Sequence, residues 1–186
     1  TCSGTPVDCV KFGTVLAVEG RTVDLVLSGI NHGQNSSINA MYSGTVGAAL
    51  EGAIGGITSI AFSLCDHSSN ADFSICEDAV IELVKKGLNK ELPSNLCLNV
   101  NFPAVPKEEL KGVKICRQAN ARWEKSFQKL KDPTGNDYYW LSGDFKNLDD
   151  GQDTDLWALE HKYVSVVPLQ FDLTAHEVIK DLKHLE

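Results

Sequence analysis

The sequence predicts an α/β fold in which helices flank a mostly parallel sheet, with a β-rich extension after the first hundred residues. Segments with helical periodicity alternate with compact apolar runs over residues 1–106, and such runs are typical of strands buried on both faces of a parallel sheet. Beyond Pro106, aromatic and β-branched runs follow one another without a strong helix between them. The chain has 186 residues, of which 42% are hydrophobic, so it can bury one sizeable core.

The first elements predicted are a helix, a strand and a loop. Thr5 followed by Pro6 is typical of a helix start, because Thr caps the helix and Pro suits its first position, and we expect a helix over residues 6–13. The β-branched run at residues 23–27 predicts a short strand. The stretch at residues 31–39 is rich in Gly, Ser and Asn and predicts a connecting loop.

Two helices and two strands are predicted next. Apolar residues at helical spacing predict a helix over residues 43–54, and the compact apolar run at residues 57–64 predicts a strand buried on both faces. A second apolar stripe predicts a long helix over residues 71–88, which ends in basic residues and Gly. Residues 96–102 predict another strand, which stops at Pro103.

The last third predicts an antiparallel excursion and then a helix, a strand and a helix. Residues 113–116 and 138–141 predict two strands of the excursion, joined by a polar segment. A short helix over 153–160 and a strand over 163–171 follow. The closing helix is expected to begin at Thr174 with a Thr-x-x-Glu capping box. Three of its apolar residues are expected to point inward: Val178, Leu182 and Leu185.

Composition and charge argue against several classes of partner. Lys and Arg total 17 against 25 Asp and Glu, for a formal net charge of −8, which argues against binding of duplex nucleic acid. No apolar run approaches the ~18 residues of a membrane span, so we expect no membrane partner and a cytoplasmic protein. The six cysteines fall singly in apolar stretches and never form a Cys-x-x-Cys spacing, so free, reduced core thiols are expected.

The segment at residues 28–45 carries the candidate binding groups. It follows a predicted strand of a parallel sheet, and ligands bind beyond the carboxyl ends of such strands. Ser43, Gly44 and Thr45 open the next helix, where free N–H groups and partial positive charge favour an anion such as phosphate. On the residues alone, Ser43 could equally be a helix cap and the Asn cluster could equally form turns, so both interpretations stay open.

Two neighbouring residues of this segment are ambiguous. The side-chain oxygen of Asn31 is a hard ligand that suits Mg²⁺, Mn²⁺ or Ca²⁺, but one Asn is not a metal site. His32 could act as a general acid or base, or could simply be exposed. The acidic stretch at residues 149–155 fails the spacing of a calcium-binding loop, so a solvated loop is expected there.

The motifs in this segment resemble those of a known family. Residues 28–35 read SGINHGQN and residues 42–52 read YSGTVGAALEG, and together they closely resemble the paired signature of the SurE family of 5′/3′-nucleotidases. Other stretches resemble family segments in the same order along the chain: residues 4–10, 60–63, 98–103 and 163–174. Several long motifs over nearly the whole chain make this a specific match.

The resemblance implies a function and roles for individual residues. A Rossmann-like three-layer domain would hydrolyse nucleoside 5′/3′-monophosphates to nucleoside and phosphate with Mg²⁺ or Mn²⁺, and the β-rich extension would build a homodimer or homotetramer by arm exchange. Asn31 would be a metal ligand and, with Ser43 and Thr45, catalytic. The phosphate would be held by Asn35, Ser43, Gly44 and Thr45.

The sequence departs from the family pattern at its start. The family begins with a strand that ends in an Asp-Asp-Gly turn, whose aspartates are the principal metal ligands, and neither this turn nor a further serine ligand is present here. We therefore expect the chain to be a fragment, in which Asn31 binds a divalent cation poorly without carboxylates. The alternative functions are a non-catalytic phosphate- or nucleotide-binding module and an oligomerisation scaffold.

The expected organisation has three parts. Residues 1–106 would form the nucleotidase core, without its first strand, helix and strand. Residues 107–152 would form the β-rich excursion. Residues 153–186 would add a helix, a strand and a helix that complete the core or a dimer arm.

Overall fold

The computed structural model describes residues 1–186, apart from the side chain of Lys125. Helices and strands alternate over the first half, and a long hairpin interrupts the second half. In chain order the elements are α1 Pro6–Phe12, β1 Val26–His32, α2 Gly44–Ile54, β2 Ser59–Leu64, α3 Glu77–Leu88, β3 Cys97–Phe102, β4 Val113–Ile115, β5 Ala121–Lys131, β6 Asp137–Asn147, α4 Asp155–Glu160, β7 Val164–Leu169 and α5 Ile179–Leu182.

One five-stranded sheet organises the molecule. Its strand order is β1-β2-β3-β7-β4, with β1, β2 and β3 parallel to one another and β7 antiparallel to β3. Strands β5 and β6 form a separate antiparallel hairpin. The predicted α/β fold with a mostly parallel sheet and a β-rich extension is therefore confirmed.

The core lies along the two central strands. Every residue of β2 and β3 is buried, as expected for strands that are covered on both faces. Ile60, Val100 and Phe102 are fully enclosed, and burying each such side chain is worth about 1.5–3 kcal/mol. The sheet edge that carries the polar groups described below is therefore held by a well-packed interior.

The first strand differs from its prediction. It spans Val26–His32 rather than residues 23–27, so Asn31 and His32 end the strand instead of opening a loop. The register between β1 and β2 shifts after Ser28, where Gly29 has a φ of +111° and a Cβ would collide with the carbonyl oxygen of Phe62. The Gly and Asn residues that suggested a turn are instead accommodated in a strand by this irregularity.

The predicted excursion also differs from the structure. Strand β4 pairs with β7 in the main sheet and takes no part in the hairpin. Strand β5 falls in the segment that was expected to be only a polar connection. The residues of β5 are mostly charged or polar, so the sequence shows no apolar run there. The strand forms because it pairs with β6 along its whole length.

The predicted closing helix is wrong in extent and orientation. Helix α5 covers only Ile179–Leu182, and no hydrogen bond of the Thr174 side chain to the helix occurs among the described residues. Val178, Leu182 and Leu185 are 44%, 50% and 73% exposed instead of pointing inward. An amphipathic helix draws most of its stability from packing, and these side chains pack on no core cluster of the described residues.

The cysteines are free thiols, but not all of them belong to the core. Burial raises the pKa of Cys65, Cys76 and Cys97 to about 12, so these thiols are poor nucleophiles at neutral pH. Cys2 and Cys9 are exposed, so the expected core position is wrong for these two. Cys9 is exposed because α1 buries none of its residues, and Cys2 lies ahead of that helix. Among the described helices, none is long and apolar enough to cross a membrane.

An ion-pair cluster closes the base of the hairpin. The guanidinium of Arg117 donates to both carboxylate oxygens of Asp149 at 2.6 and 2.9 Å, and its Nε donates to Asp153 at 2.9 Å. The backbone N–H groups of Asn120 and Gly151 also donate to Asp149. This part of the acidic stretch is therefore not the solvated loop that the sequence suggested. Arg117 and the two N–H donors hold the pKa of the Asp149 carboxyl well below its ordinary value.

We expect this cluster to make stability depend on acid pH. A carboxyl whose pKa is lower in the folded than in the unfolded state stabilises the fold above its ordinary pKa of ~3.9, and this contribution is lost as the pH falls below that value. Urea denaturation between pH 7 and pH 3 should show Asp149→Asn less stable than the parent at neutral pH, with the difference shrinking in acid. The exposed Asp150→Asn is the control, and a difference that did not change with pH would contradict the prediction.

Candidate functional site

Polar side chains gather where three parallel strands end. Asn31 lies at the end of β1 and Ser63 near the end of β2, while Asn99 lies in the middle and Asn101 near the end of β3. The register pairs Asn31 with Ser63 and Ser63 with Asn101. The carboxyl ends of parallel strands form the usual ligand-binding edge of an open sheet, so this is the candidate site.

Asn35 lies at the centre of this polar group. Its Nδ2 donates to Asn31 Oδ1 at 3.0 Å and to Ser63 Oγ at 2.9 Å. Its backbone N–H donates to Asn101 Oδ1 at 2.7 Å, and its carbonyl oxygen accepts from Asn99 Nδ2 at 2.8 Å. Both the side chain and the backbone of this loop residue are therefore tied to the sheet edge. We call these five residues the asparagine network.

The orientation of Asn31 is fixed from both ends of its amide. Nδ2 donates to the carbonyl oxygens of His32 and Gly33 at 2.8 and 2.9 Å. Oδ1 accepts from Asn35 and also from Ser63 Oγ at 2.9 Å. Since every strong hydrogen-bonding direction of the amide is used, its oxygen points in one direction.

The second candidate element is the start of α2. Ser43 is the N-cap, with extended backbone, and its Oγ accepts from the N–H of Val46 at 3.1 Å. The helix runs for 11 residues from Gly44, and the first N–H groups of a helix have no partner within it. Thr45 is half-buried in the first turn. The cap interpretation of Ser43 is correct, and a capped helix start still presents N–H groups and positive potential to an anion.

The structure thus divides the predicted site residues into two groups. Asn31 and Asn35 are joined by a direct hydrogen bond, whereas Ser43, Gly44 and Thr45 are neighbours on α2. Among the described residues, no hydrogen bond links one group to the other. The loop at residues 33–43 connects them, so its conformation sets their relative position.

A buried carboxylate anchors this loop from the other side. Asp155 is fully enclosed, and its two oxygens accept from the backbone N–H groups of Ser37, Ala119 and Leu156 at 2.7, 3.0 and 2.8 Å. The hydroxyl of Ser37 donates to the carbonyl of Ala119 at 2.8 Å. Burial raises the pKa of the Asp155 carboxyl, and the N–H donors oppose that rise. Ser37 has a φ of +52°, and these contacts hold it there.

His32 does not join the asparagine network. Its ring is exposed, with Nδ1 3.3 Å from the carbonyl oxygen of Asp66 and its edge against Phe73 at a centroid separation of 5.0 Å. A different histidine, His67, packs over Gly33, where a Cβ would collide with the imidazole ring. Of the two interpretations of His32, the one that fits the structure is that its side chain is exposed.

A cleft opens beside the asparagine network. It has a volume of about 310 Å³, and the indole Nε1 of Trp123 donates to Asn39 Oδ1 at 2.8 Å on its wall. Its lining is polar and aromatic and consists of Gln34, Asn35, Asn39, Tyr42, His67 and Trp123.

Sequence reasoning missed three members of the network. Ser63, Asn99 and Asn101 are at most 1% exposed inside strands that are mostly apolar. Buried polar side chains need partners, so two Asn residues alternating with apolar residues before Pro103 were a usable signal. The alternation predicted only a strand, and the structure shows that β3 is buried throughout.

The residues at this sheet edge offer few ligands for a divalent cation. Among the described residues, no group of three or more His, Cys, Asp or Glu side chains could hold a metal ion. Asn31 Oδ1 and Ser63 Oγ are neutral oxygens at the site, and Asn31 Oδ1 already accepts two hydrogen bonds. Asn31 Oδ1 could therefore bind a cation only by giving up one of these two hydrogen bonds, and the described residues do not complete a coordination sphere.

Comparison with known proteins agrees with this architecture. A family model described as "Survival protein SurE" matches residues 1–125. The protein named 5′-nucleotidase SurE from Flavobacterium psychrophilum is 54% identical over 184 residues, which cover 99% of this chain and 71% of that protein. The protein of the same name from Christiangramia forsetii is 56% identical over 182 residues, covering 98% and 70%.

A solved structure extends the agreement to three dimensions. The crystal structure of the SurE protein from Aquifex aeolicus superposes with a TM-score of 0.83 at 42% identity, covering 98% of this chain and 73% of that one. The resemblance of the motifs, the match to the family model and the shared fold all lead to the same assignment. The chain belongs to the SurE family.

Proposed function

We propose that the chain is a phosphomonoesterase that hydrolyses nucleoside 5′- or 3′-monophosphates to nucleoside and phosphate. Family membership and two relatives named 5′-nucleotidase SurE, at 54% and 56% identity, support this activity. The structural observation that supports it best is the asparagine network at the carboxyl ends of three parallel strands, which the segment at residues 33–43 connects to the start of α2. The alternative of a non-catalytic binding module is not favoured, because the matched relatives are named as enzymes.

The proposed phosphate site combines the two groups of residues. The N–H groups and hydroxyls of Ser43, Gly44 and Thr45 would hold the phosphate at the helix start, where partial positive charge favours it. Asn35 would support the phosphate from the sheet edge. All three N–H groups of Asn35 already donate within the asparagine network, so its contribution would be to hold this sheet edge in place, and a site fixed before binding needs little reorganisation when charge develops.

The family implies a divalent cation, and we propose Mg²⁺ or Mn²⁺ with Asn31 as one ligand. When bound, such a cation supplies charge neutralisation at the phosphoryl oxygens and a more acidic water. The contribution of this chain is to fix the direction of Asn31 Oδ1 through His32, Gly33, Asn35 and Ser63. Partners of this kind orient a ligand and are as important to a metal site as the ligand itself.

The activity is tested by phosphate release from AMP with Mn²⁺ or Mg²⁺ and with EDTA. We expect release that depends on the cation, in a sample whose intact mass is confirmed as 20.2 kDa. Absence of release at that mass would contradict the proposal for this chain. Calorimetry with AMP in EDTA then separates the alternatives, because binding without hydrolysis would indicate a non-catalytic module.

We also propose an assembly and a cellular location. The β5–β6 hairpin exposes several large apolar side chains that a second copy could cover, which favours a homodimer or homotetramer. Light scattering distinguishes such an assembly from a monomer. Two further predictions stand beside this one. The first is the division of the chain into a core at residues 1–106, an excursion at 107–152 and a final part at 153–186. The second is a cytoplasmic location, with neither a membrane nor duplex nucleic acid as a partner. The exposed large apolar side chains of the hairpin are Trp123, Phe127, Tyr138, Tyr139, Trp140 and Leu141.

A further inference from the structure

Helices α1 and α2 run side by side and begin at the same level. Pro6, the first residue of α1, packs against Gly44, the first residue of α2. Further along both helices, Lys11 Nζ lies 3.8 Å from Glu51 Oε1. The paired positions advance together along the chain, so the two helices are parallel. The start of α1 is therefore the immediate neighbour of the proposed phosphate site at the start of α2.

The missing side chain of Gly44 would point at α1. A Cβ at this position would lie 3.2 Å from Pro6 Cγ and 3.6 Å from Pro6 Cδ, the nearest atoms beyond its own helix and chain neighbours. Two carbon atoms attract best at ~3.5–4.0 Å, so the shorter contact would push Pro6 and Gly44 apart. Gly44 is helical and lacks the left-handed φ that requires glycine. What the structure places in this space is the ring of Pro6.

The ring of Pro6 is held by a well-fixed turn. Thr5 caps α1, where its Oγ1 accepts from the N–H of Asp8 at 3.3 Å and Asp8 Oδ2 accepts from the N–H of Thr5 at 2.9 Å. This reciprocal capping box fixes the entry of the chain into the helix. Proline also restricts its own φ to about −65°, which suits the first helical position. Pro6 therefore presents a fixed surface to the residue that packs on it.

A shift at Gly44 would move the proposed phosphate ligands with it. Gly44 lies between Ser43 and Thr45, and the first N–H groups of α2 belong to the same turn. Ser43 Oγ is tied to this turn through the N–H of Val46 at 3.1 Å. Misplacement of binding groups by ~1 Å can cost ~10²-fold in rate. The contact with Pro6 therefore bears on the phosphate site, although Pro6 is not one of the proposed ligands.

We propose that Pro6 is a positioning residue of the phosphate site. Its ring packs on Gly44 and sets where the first turn of α2 lies, and residue 44 is a glycine in order to admit this ring and not to admit the phosphate. The inference rests on the proposed function, because it takes the phosphate to bind at the start of α2. It adds a residue of α1 to the structure that determines phosphate affinity.

The test is a double-mutant cycle on Gly44 and Pro6, with calorimetry of inorganic phosphate in EDTA as the binding measurement. We expect Gly44→Ala to weaken phosphate binding about tenfold in the parent protein, since residues in contact couple on that scale. In a Pro6→Ala background the same substitution should cost less than about twofold. The reason is that Pro6→Ala removes Cγ and Cδ and keeps only the Cβ, which lies 4.0 Å from the added atom.

The kinetic constants for AMP separate displacement of the site from loss of folding. A displaced phosphate site should raise the KM of Gly44→Ala in parallel with its loss of phosphate affinity. Partial unfolding would instead lower kcat at unchanged KM, because fewer molecules would be active, and that result would overturn the inference. Gly47→Ala is the matched control. A Cβ there would make an ordinary contact of 3.4 Å with Val7 of α1, so KM and phosphate affinity should stay unchanged.

The contrary outcomes distinguish this inference from the proposed activity. An equal loss of phosphate affinity from Gly44→Ala in the parent and in the Pro6→Ala background would overturn the inference, because the phosphate itself would then need the space at Gly44. Unchanged affinity in Gly44→Ala would also overturn it. Both results leave the activity standing in a parent protein that hydrolyses AMP. A parent that neither binds phosphate nor hydrolyses AMP would contradict the proposed function, and this inference with it.

Discussion

Asn35→Ala is expected to lower the turnover of AMP by about 10- to 100-fold, the usual cost of removing a residue that orients a metal ligand, here Asn31. The substitution removes the Nδ2 bonds to Asn31 and Ser63. It leaves the backbone bonds to Asn99 and Asn101 in place, so the loop keeps its attachment to the sheet. The measurement is kcat and KM for AMP together with the midpoint of thermal unfolding.

The control for this variant is an asparagine away from the site. Asn89→Ala removes an exposed side chain at the end of α3, where its only described partner is Glu91. It should leave kcat unchanged. Unaltered kcat in Asn35→Ala would contradict the assignment of the asparagine network, and a thermal midpoint that fell far below that of Asn89→Ala would indicate lost folding instead of lost chemistry.

Asp155→Ala is expected to destabilise the fold by about 3 kcal/mol or more. The substitution leaves the buried N–H groups of Ser37 and Ala119 and the part-buried N–H of Leu156 without an acceptor, and each fully buried group costs about 1–3 kcal/mol. Asp155→Asn should cost less, because it keeps one acceptor oxygen. Urea denaturation measures the free energy of unfolding of both variants.

Asp150→Ala is the matched control, since it removes an exposed carboxylate nearby. Its effect should be within about 0.5 kcal/mol of zero, as for most surface substitutions. An Asp155→Ala protein as stable as this control would show that the three N–H groups find other partners. The outcome bears on the site, because Ser37 is two residues from Asn35 and shares its loop.

Local features of the fold follow from the sequence, because they depend on neighbouring residues. Ser43 caps α2 as its position before an apolar periodic segment indicates, and its hydroxyl accepts from a residue only three positions away. The buried strand β2 follows from its apolar run, and Thr5 and Pro6 start α1 as predicted. The family also follows from the sequence, since the paired motifs are short and contiguous.

The longer predictions failed where packing competes with local pattern. The apolar stripe of the last segment and its capping sequence predicted a long buried helix, but α5 is one turn and its apolar side chains are exposed. The apolar run at Val113–Ile115 predicted a strand correctly, but that strand was expected in the excursion and pairs instead with β7 of the main sheet. The residues of a strand do not specify its partner strand.

The asparagine network depends on contacts between distant parts of the chain. Asn35 and Asn101 are 66 residues apart, and Asp155 and Ser37 are 118 apart. Such pairs meet only because parallel strands place their carboxyl ends at one edge and because the register aligns Asn31, Ser63 and Asn101 across three of them. Sequence patterns identify the residues that can act as donors or ligands, whereas strand order and register, which arise from burial of the whole sheet, bring those residues together.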